Sequence, residues 1–347
     1  MPQRRIPVAD LELIFNQTHP MWEEMRNQSI FITGGTGFFG SWLLESLLYI
    51  NLHLDLNMHA TVLTRDPVAF AKRSPHVATS SSVTLIKGDI RSFPSPSGRF
   101  AYVIHAAAEV VSATELPIER YEAMVDGTMR VLQFAADHGT EKFLLTSSGA
   151  VYGKQGAHLS HITEEYSGAP DVLKASAVYG EGKRAAELMC ALHAERSDIK
   201  FKIARCFAFA GPTLPVDGNF AIGNFIRDAM RGGPIRIEGD GTSVRSYLYA
   251  ADLAIWLWTL LFKAPSMLAF NVGSEEAISI RDLAGVVAET LNPKIQIDVT
   301  KNSDKGSTSS RYVPSTERAQ RMLHLRQTVG LSESIRKMAA WYDLQED

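Results

Sequence analysis

Tyr179 and Lys183 stand four residues apart in Tyr179-Gly-Glu-Gly-Lys183, a spacing that puts both on one face of a helix. A tyrosine ordinarily titrates near about 10, too high for a good base at neutral pH. A neighbouring ammonium, with a positively charged nicotinamide, favours the phenolate. Ser148 ends the apolar run KFLLTSS and can hydrogen-bond the oxygen that Tyr179 deprotonates. Together these residues suit hydride transfer between a secondary alcohol and a nicotinamide. By itself Y-x-x-x-K is a common accident of helices, so the rest of the chain has to support it.

A second cluster does so. Gly34, Gly37 and Gly40 lie between the β-branched run SIFIT and the helical pattern SWLLESLLYI. Glycine there permits a tight turn, close approach to a pyrophosphate and close helix packing. The helix start, at Phe38 and Phe39, offers free N–H groups to the phosphates. The next apolar run, HATVLT, is followed by Arg65, close to where NAD enzymes tend to place a carboxylate for the ribose. Arg65 can hold a 2′-phosphate, or it is merely exposed and Asp66 reaches the ribose. NADP is slightly favoured over NAD. Asp89, at the end of VTLIKGD and followed by Ile90, either bonds the adenine amino group or starts a turn.

These residues need elements to carry them. Strands are expected at 29–33, 59–64, 83–89, 101–108, 142–148 and 201–207, alternating in part with helices. That alternation implies an α/β fold with a Rossmann-like doubly wound parallel sheet. Its strand ends share one edge, where ligands bind. We expect an N-terminal extension (1–28), in which Leu11, Leu13, Ile14 and Phe15 form one face of a short helix. A dinucleotide-binding domain (29–207) follows. A smaller C-terminal α/β lobe (208–347) mainly binds substrate, with the 267–273 strand returning to the main sheet.

Composition narrows the classes. Of 347 residues, 45% are apolar and 21% charged, which excludes a disordered or fibrous chain. The 35 basic and 38 acidic residues give a net charge of −3, so no nucleic-acid affinity is expected. Histidines and cysteines show no metal-ligand spacing, and no metal is expected. Cys190 and Cys206 lie in apolar segments and read as buried thiols in a reducing compartment. No signal peptide is apparent. The apolar stretch Leu253–Phe262 is about half a bilayer span, so a cytoplasmic protein without a membrane contact is expected.

The chain resembles an extended short-chain dehydrogenase/reductase of the NAD-dependent epimerase/dehydratase family acting on nucleotide sugars. The matching segments include TGGTGFFG (33–40), GDI (88–90), HAAA (105–108), SSGAVYG (147–153) and YGEGK (179–183). Later ones are GDGTSVRSYLYAADLA (239–254), FNVGSEEAISIRDLA (270–284) and RYVP (311–314). The resemblance implies that Tyr179 is the base, that Lys183 tunes it and holds the nicotinamide ribose, and that Ser148 orients the hydroxyl. It places Ala106 and Ala107 beside the cofactor and Arg245 on the nucleotide diphosphate, with Arg311 a weaker candidate. It also implies a homodimer through helices that include the one bearing Tyr179.

Three departures matter. Ala208 stands where relatives often carry an asparagine that helps bind the sugar nucleotide, so Asn219 or Asn224 is expected to do that work. Met124 replaces another family asparagine. Relatives that eliminate water or decarboxylate carry an acid just after the Ser/Thr, whereas here Gly149 and Ala150 follow Ser148. Glu109 is the one acid placed near the site. The leading expectation is a C4 epimerase working through a transient 4-keto sugar. The alternatives are a 4,6-dehydratase or decarboxylase, and a 4-keto-sugar reductase.

Overall fold

Alternating strands and helices assemble around one parallel sheet in the computed structural model, which describes residues 5–107, 116–300 and 310–343. The chain begins with α1 (Val8–Thr18) and a 3₁₀ segment (His19–Met25). There follow β1 (Ser29–Thr33), α2 (Phe38–Leu54), β2 (His59–Thr64), α3 (Pro67–Arg73), α4 (Pro75–Ala78) and β3 (Val83–Lys87). Next come β4 (Tyr102–His105), α5 (Pro117–Asp137), β5 (Lys142–Ser148), α6 (Val178–Ala194) and β6 (Lys200–Cys206). The remainder is built from β7 (Phe209–Ala210), α7 (Ala221–Met230), β8 (Ile235–Ile237), β9 (Val244–Arg245), β10 (Leu248–Tyr249) and α8 (Ala250–Lys263). It ends with β11 (Ala269–Val272), β12 (Ile278–Ser279), α9 (Ile280–Leu291), β13 (Ile297–Val299), α10 (Glu317–Leu323) and α11 (Leu331–Asp343).

Among the described residues the main sheet has seven strands in the order β11-β6-β5-β4-β1-β2-β3. Every neighbouring pair is parallel. The order reverses at β1, so the β1 and β4 ends diverge into a crevice, the usual ligand site of such sheets. Strand β11 lies at the sheet edge beside β6. Three two-stranded pairs, β10-β7, β12-β9 and β13-β8, accompany α7, α9 and α11.

Helices cover both faces of the sheet. On one, α5 and α6 pack over Phe31, Val103, Phe143 and Phe201. On the other lies α8, in which every residue from Ala250 to Phe262 is buried. A helix apolar all round must be covered on all sides. Here β5 and β6 lie under it, and α1 and α2 lie against it. The stretch Leu253–Phe262 is therefore a core helix. No helix among the described residues is long and apolar enough to cross a membrane. Trp22 and Trp258 pack at 4.6 Å, and Trp258 Nε1 donates to Ser46 Oγ at 3.0 Å.

The two ends of the chain meet on this face. Leu11 and Ile14 of α1 are buried in the same core as α8. The fully buried Asp10 accepts from Tyr249 Oη at 2.7 Å and from Lys337 Nζ of α11 at 2.8 Å. Trp341 Nε1 donates to the Arg5 carbonyl at 2.9 Å. Both cysteines are buried and free of disulfides.

Candidate active-site cleft

A cleft of about 2240 Å³ opens along the strand ends and over the β7–β9 region. Its floor begins with the glycine turn. Gly34 has φ +71°, and a Cβ there would lie 2.5 Å from the Ala106 carbonyl carbon and 2.6 Å from Ala107 N. A Cβ on Gly40 would lie 2.3 Å from the Gly35 carbonyl carbon. Gly40 thus lets α2 close on the turn and does not line the cleft, whereas Gly34, Gly37, Phe38, Phe39, Ala106 and Ala107 do. First-turn N–H groups of α2 lack intrahelical acceptors, and a pyrophosphate fits that cradle.

A buried relay fixes the two backbones. Thr128 Oγ1 donates to the Met124 carbonyl at 2.6 Å, so it accepts from His105 Nε2, 3.1 Å away. His105 Nδ1 then accepts from Thr33 Oγ1 at 2.8 Å, which in turn accepts from Ala107 N at 3.2 Å. Burial holds the His105 pKa down to about 3, so the ring is neutral and can play both parts.

At the far end Arg65, Arg73 and Arg91 all line the cleft. Arg73 donates to the Thr36 carbonyl of the glycine turn. Asp66 is not among the residues that line the cleft, and its Oδ1 caps α3 by accepting from Ala69 N at 2.9 Å. Asp89 lines the cleft beside Ile90, but its carboxylate is gripped by Arg91 at 2.8 and 2.9 Å. That grip keeps its pKa low, at about 2.

The candidate reacting groups converge beyond the turn. Ser148 Oγ accepts from Ala150 N at 3.1 Å and lies 3.4 Å from Tyr312 Oη. Burial pushes the Tyr179 phenol up to about 12, while its hydrogen bond with Ser148 and the charge of Arg120 pull it back. Lys183 is buried, and its Nζ donates to the Thr146 carbonyl at 2.8 Å. It lies 6.0 Å from the Tyr179 ring centroid, and burial draws its pKa down to about 8. Met124 packs on this pair's helix, where a Gly182 Cβ would meet its methyl at 2.5 Å.

Arg245, Asn219 and Asn224 line the other wall. Arg245 donates to neutral oxygens of Val244 and Ser310, at 2.8 to 3.3 Å. Asn224 Nδ2 donates to the Gly218 carbonyl at 2.9 Å. Arg311 is not brought to the cleft: its Nε donates to the Ser160 carbonyl at 2.7 Å. Consecutive residues of an extended segment point to opposite sides, and it is Tyr312 that enters. Glu109 lies outside the described residues. Tyr312, Phe207, Arg120, Arg73 and Arg91 escape the sequence reading. For Tyr312 the signal was the RYVP segment, read one residue too early.

The family model for the NAD dependent epimerase/dehydratase family matches residues 30–273. The chain belongs to this family. UDP-glucuronic acid decarboxylase 2 of Arabidopsis thaliana is 27% identical over 287 residues, 82% of this chain and 62% of that protein. The chain thus spans less than two thirds of that relative. The fold matches an epimerase of Methanothermobacter thermautotrophicus with a TM-score of 0.78, at 21% identity over 96% of this chain and 97% of that one. It also matches dTDP-glucose 4,6-dehydratase of Streptomyces venezuelae, solved with NAD bound, with a TM-score of 0.77, at 22% identity over 92% and 98%.

The position after Ser148 is closed by packing. A Cβ on Gly149 would lie 2.6 Å from Phe207 Cζ and 2.7 Å from Tyr312 Oη. These two rings pack at a tilt of 34°, with centroids 4.6 Å apart. Gly149→Ala is expected to lower stability by about 1–3 kcal/mol, as overpacking does. Urea unfolding reads this, and an unchanged midpoint would show that the aromatic wall yields.

Proposed function

We propose that this chain is a nucleotide-sugar C4 epimerase working through a transient 4-keto sugar. The observation that carries the reading is the filled space behind Gly149. Ser148, Tyr179 and Lys183 are assembled, while Phe207 and Tyr312 occupy the room an auxiliary acid at 149 would need. Epimerisation at C4 needs no such acid. Tyr179 takes the C4 hydroxyl proton while Ser148 orients that oxygen. A bound nicotinamide would supply the hydride acceptor and donor. Tyr179 then returns the proton once the keto sugar has presented its other face. Arg245, whose acceptors are all neutral, is placed to meet the diphosphate through its bidentate fork. Decarboxylation is the second reading, favoured by the names of the curated relatives. It requires an acid from outside the 149 position.

The cofactor reading is NADP ahead of NAD. Arg65 and Arg73 face the same end of the cleft, and Asp66 is engaged as a helix cap. A second copy is the expected partner. Met129 of α5 and Leu188 and Leu192 of α6 are large apolar side chains at least 50% exposed. Two buried free thiols suit a reducing, cytoplasmic setting.

A panel of UDP-, dTDP-, GDP- and CDP-sugars, analysed by mass and NMR, tests the reaction. The expected product has unchanged mass and inverted stereochemistry; loss of water or carbon dioxide would overturn the reading. Tyr179→Phe should still bind cofactor but lose about 10²- to 10⁴-fold in turnover, and near-normal turnover removes Tyr179 from the mechanism. Arg65→Ala should selectively weaken NADP binding by about 1.5–3 kcal/mol, the worth of a hydrogen bond to a charged group. Titration calorimetry measures this, and a protein that holds NAD and ignores NADP contradicts the assignment. Light scattering at micromolar concentration should give twice the chain mass; a monomer rules out the dimer.

A further inference from the structure

Behind the reacting groups lies a polar network that hydride transfer does not touch. Glu187 sits on α6 one turn after Lys183 and two after Tyr179, so the three share a helix face. Its Oε1 accepts from Ser147 Oγ at 2.5 Å, next to Ser148. Its two oxygens also accept from Arg205 of β6, at 3.0 Å from Nε and 2.7 Å from Nη2. Arg205 Nη1 donates to Tyr152 Oη at 2.9 Å, in the turn that directly follows Ser148. Tyr152 Oη donates to Asn271 Oδ1 of β11 at 2.8 Å. Asn271 Nδ2 in turn donates to the carbonyls of Ile162, at 2.9 Å, and Ser315, at 3.0 Å. Ser315 lies three residues after Tyr312, on the segment that brings that ring to Ser148.

An ion pair withdrawn from water costs free energy unless its geometry is good and its remaining lone pairs are met. Here Glu187 and Arg205 are largely buried, and the bonds above engage both carboxylate oxygens. An apolar filling would pack as well, but it could not bridge a strand end, a helix and a turn by directed bonds.

We propose that Glu187 is a positioning residue: it ties the strand end and turn that carry Ser148 to β6 and α6, and from one helical turn beyond Lys183 its charge favours the ammonium. The proposal rests on the reading of this cleft as a hydride-transfer site. Several groups face Lys183. His105 on β4 is neutral, and the Cys206 thiol on β6, pushed up to about 12 by burial, is neutral as well. Without a cationic nicotinamide beside it, burial holds the Tyr179 phenol on the same helix in its neutral form. Arg205 on β6 is already paired with Glu187. Among the described residues Glu187 is the carboxylate whose charge opposes the desolvation of Lys183. Removing that charge moves the loss of the ammonium to lower pH.

The test uses the full chain loaded with NADP or NAD and labelled with ¹⁵N-lysine, the Lys183 Nζ signal being assigned with Lys183→Arg. In Glu187→Gln the Lys183 pKa should fall by about half a unit or more, as loss of a nearby opposite charge dictates. Glu187→Asp should restore most of the shift. An unshifted Lys183 in a folded Glu187→Gln protein overturns the electrostatic half. Ser147→Ala keeps the charge and tests the positioning half, including where Glu187→Gln fails to fold. Its amides at 149–152 should exchange with deuterium at least several-fold faster at a near-native melting temperature; unchanged exchange there overturns the proposal. Neither readout needs a sugar substrate, so both decide this inference even if the sugar-nucleotide panel shows no turnover. Where a substrate does turn over, the alkaline limb of kcat/KM should move to lower pH in Glu187→Gln.

Discussion

The contact between Gly34 and the backbone of Ala106 and Ala107 sets the geometry on which the cleft depends. No side chain fits between the two segments. The turn after β1 and the turn after β4 therefore lie against each other, and the α2 N-terminus opens at the place where strand order reverses. The Thr33–His105–Thr128 relay holds that approach without a charge, because burial keeps His105 neutral. A charged ring there would repel the Lys183 ammonium, and a missing one would take away the acceptor of the buried Thr33 hydroxyl proton.

Burial works against both groups proposed to handle the proton. It raises the Tyr179 phenol and lowers the Lys183 ammonium, so each is drawn toward its neutral form. The surroundings push back. Ser148 and Arg120 favour the phenolate, and Glu187 favours the ammonium. The site is thus a largely buried corner of the cleft whose protonation states respond to a few directed partners from β5, α5 and α6. Those partners come from distant parts of the sequence and meet only in the folded sheet.

That explains which features were legible in the sequence. Ser148, Tyr179, Lys183 and the glycine turn sit in local patterns whose spacing carries the chemistry. The strands of the main sheet announced themselves as β-branched runs, although β3 ends at Lys87 and β4 at His105, short of the polar and small residues read into them. The role of α8 was hidden because an all-apolar decamer has no face to read; only its contacts with α1, α2, β5 and β6 show it to be core. The two-residue strands β7, β9, β10 and β12 are too short to leave a period. Arg311 is a diphosphate candidate by resemblance and Tyr312 lines the cleft instead, since sequence alone does not say which side of an extended segment faces inward. Glu187 carries no local signal, because its partners Arg205 and Ser147 come from two strands.

The tie between Asp10, Tyr249 and Lys337 bears on the order in which the molecule can be completed during synthesis. Asp10 precedes its two partners in the chain by 239 and 327 positions. Until β10 and then α11 have been made, that carboxylate has to stay solvated, since burying it unpaired is too costly. The α1 segment therefore cannot settle finally on α8 while translation is under way. The glycine turn and the first parallel strands can pair much earlier, which leaves the closing of this face until α11 has been made.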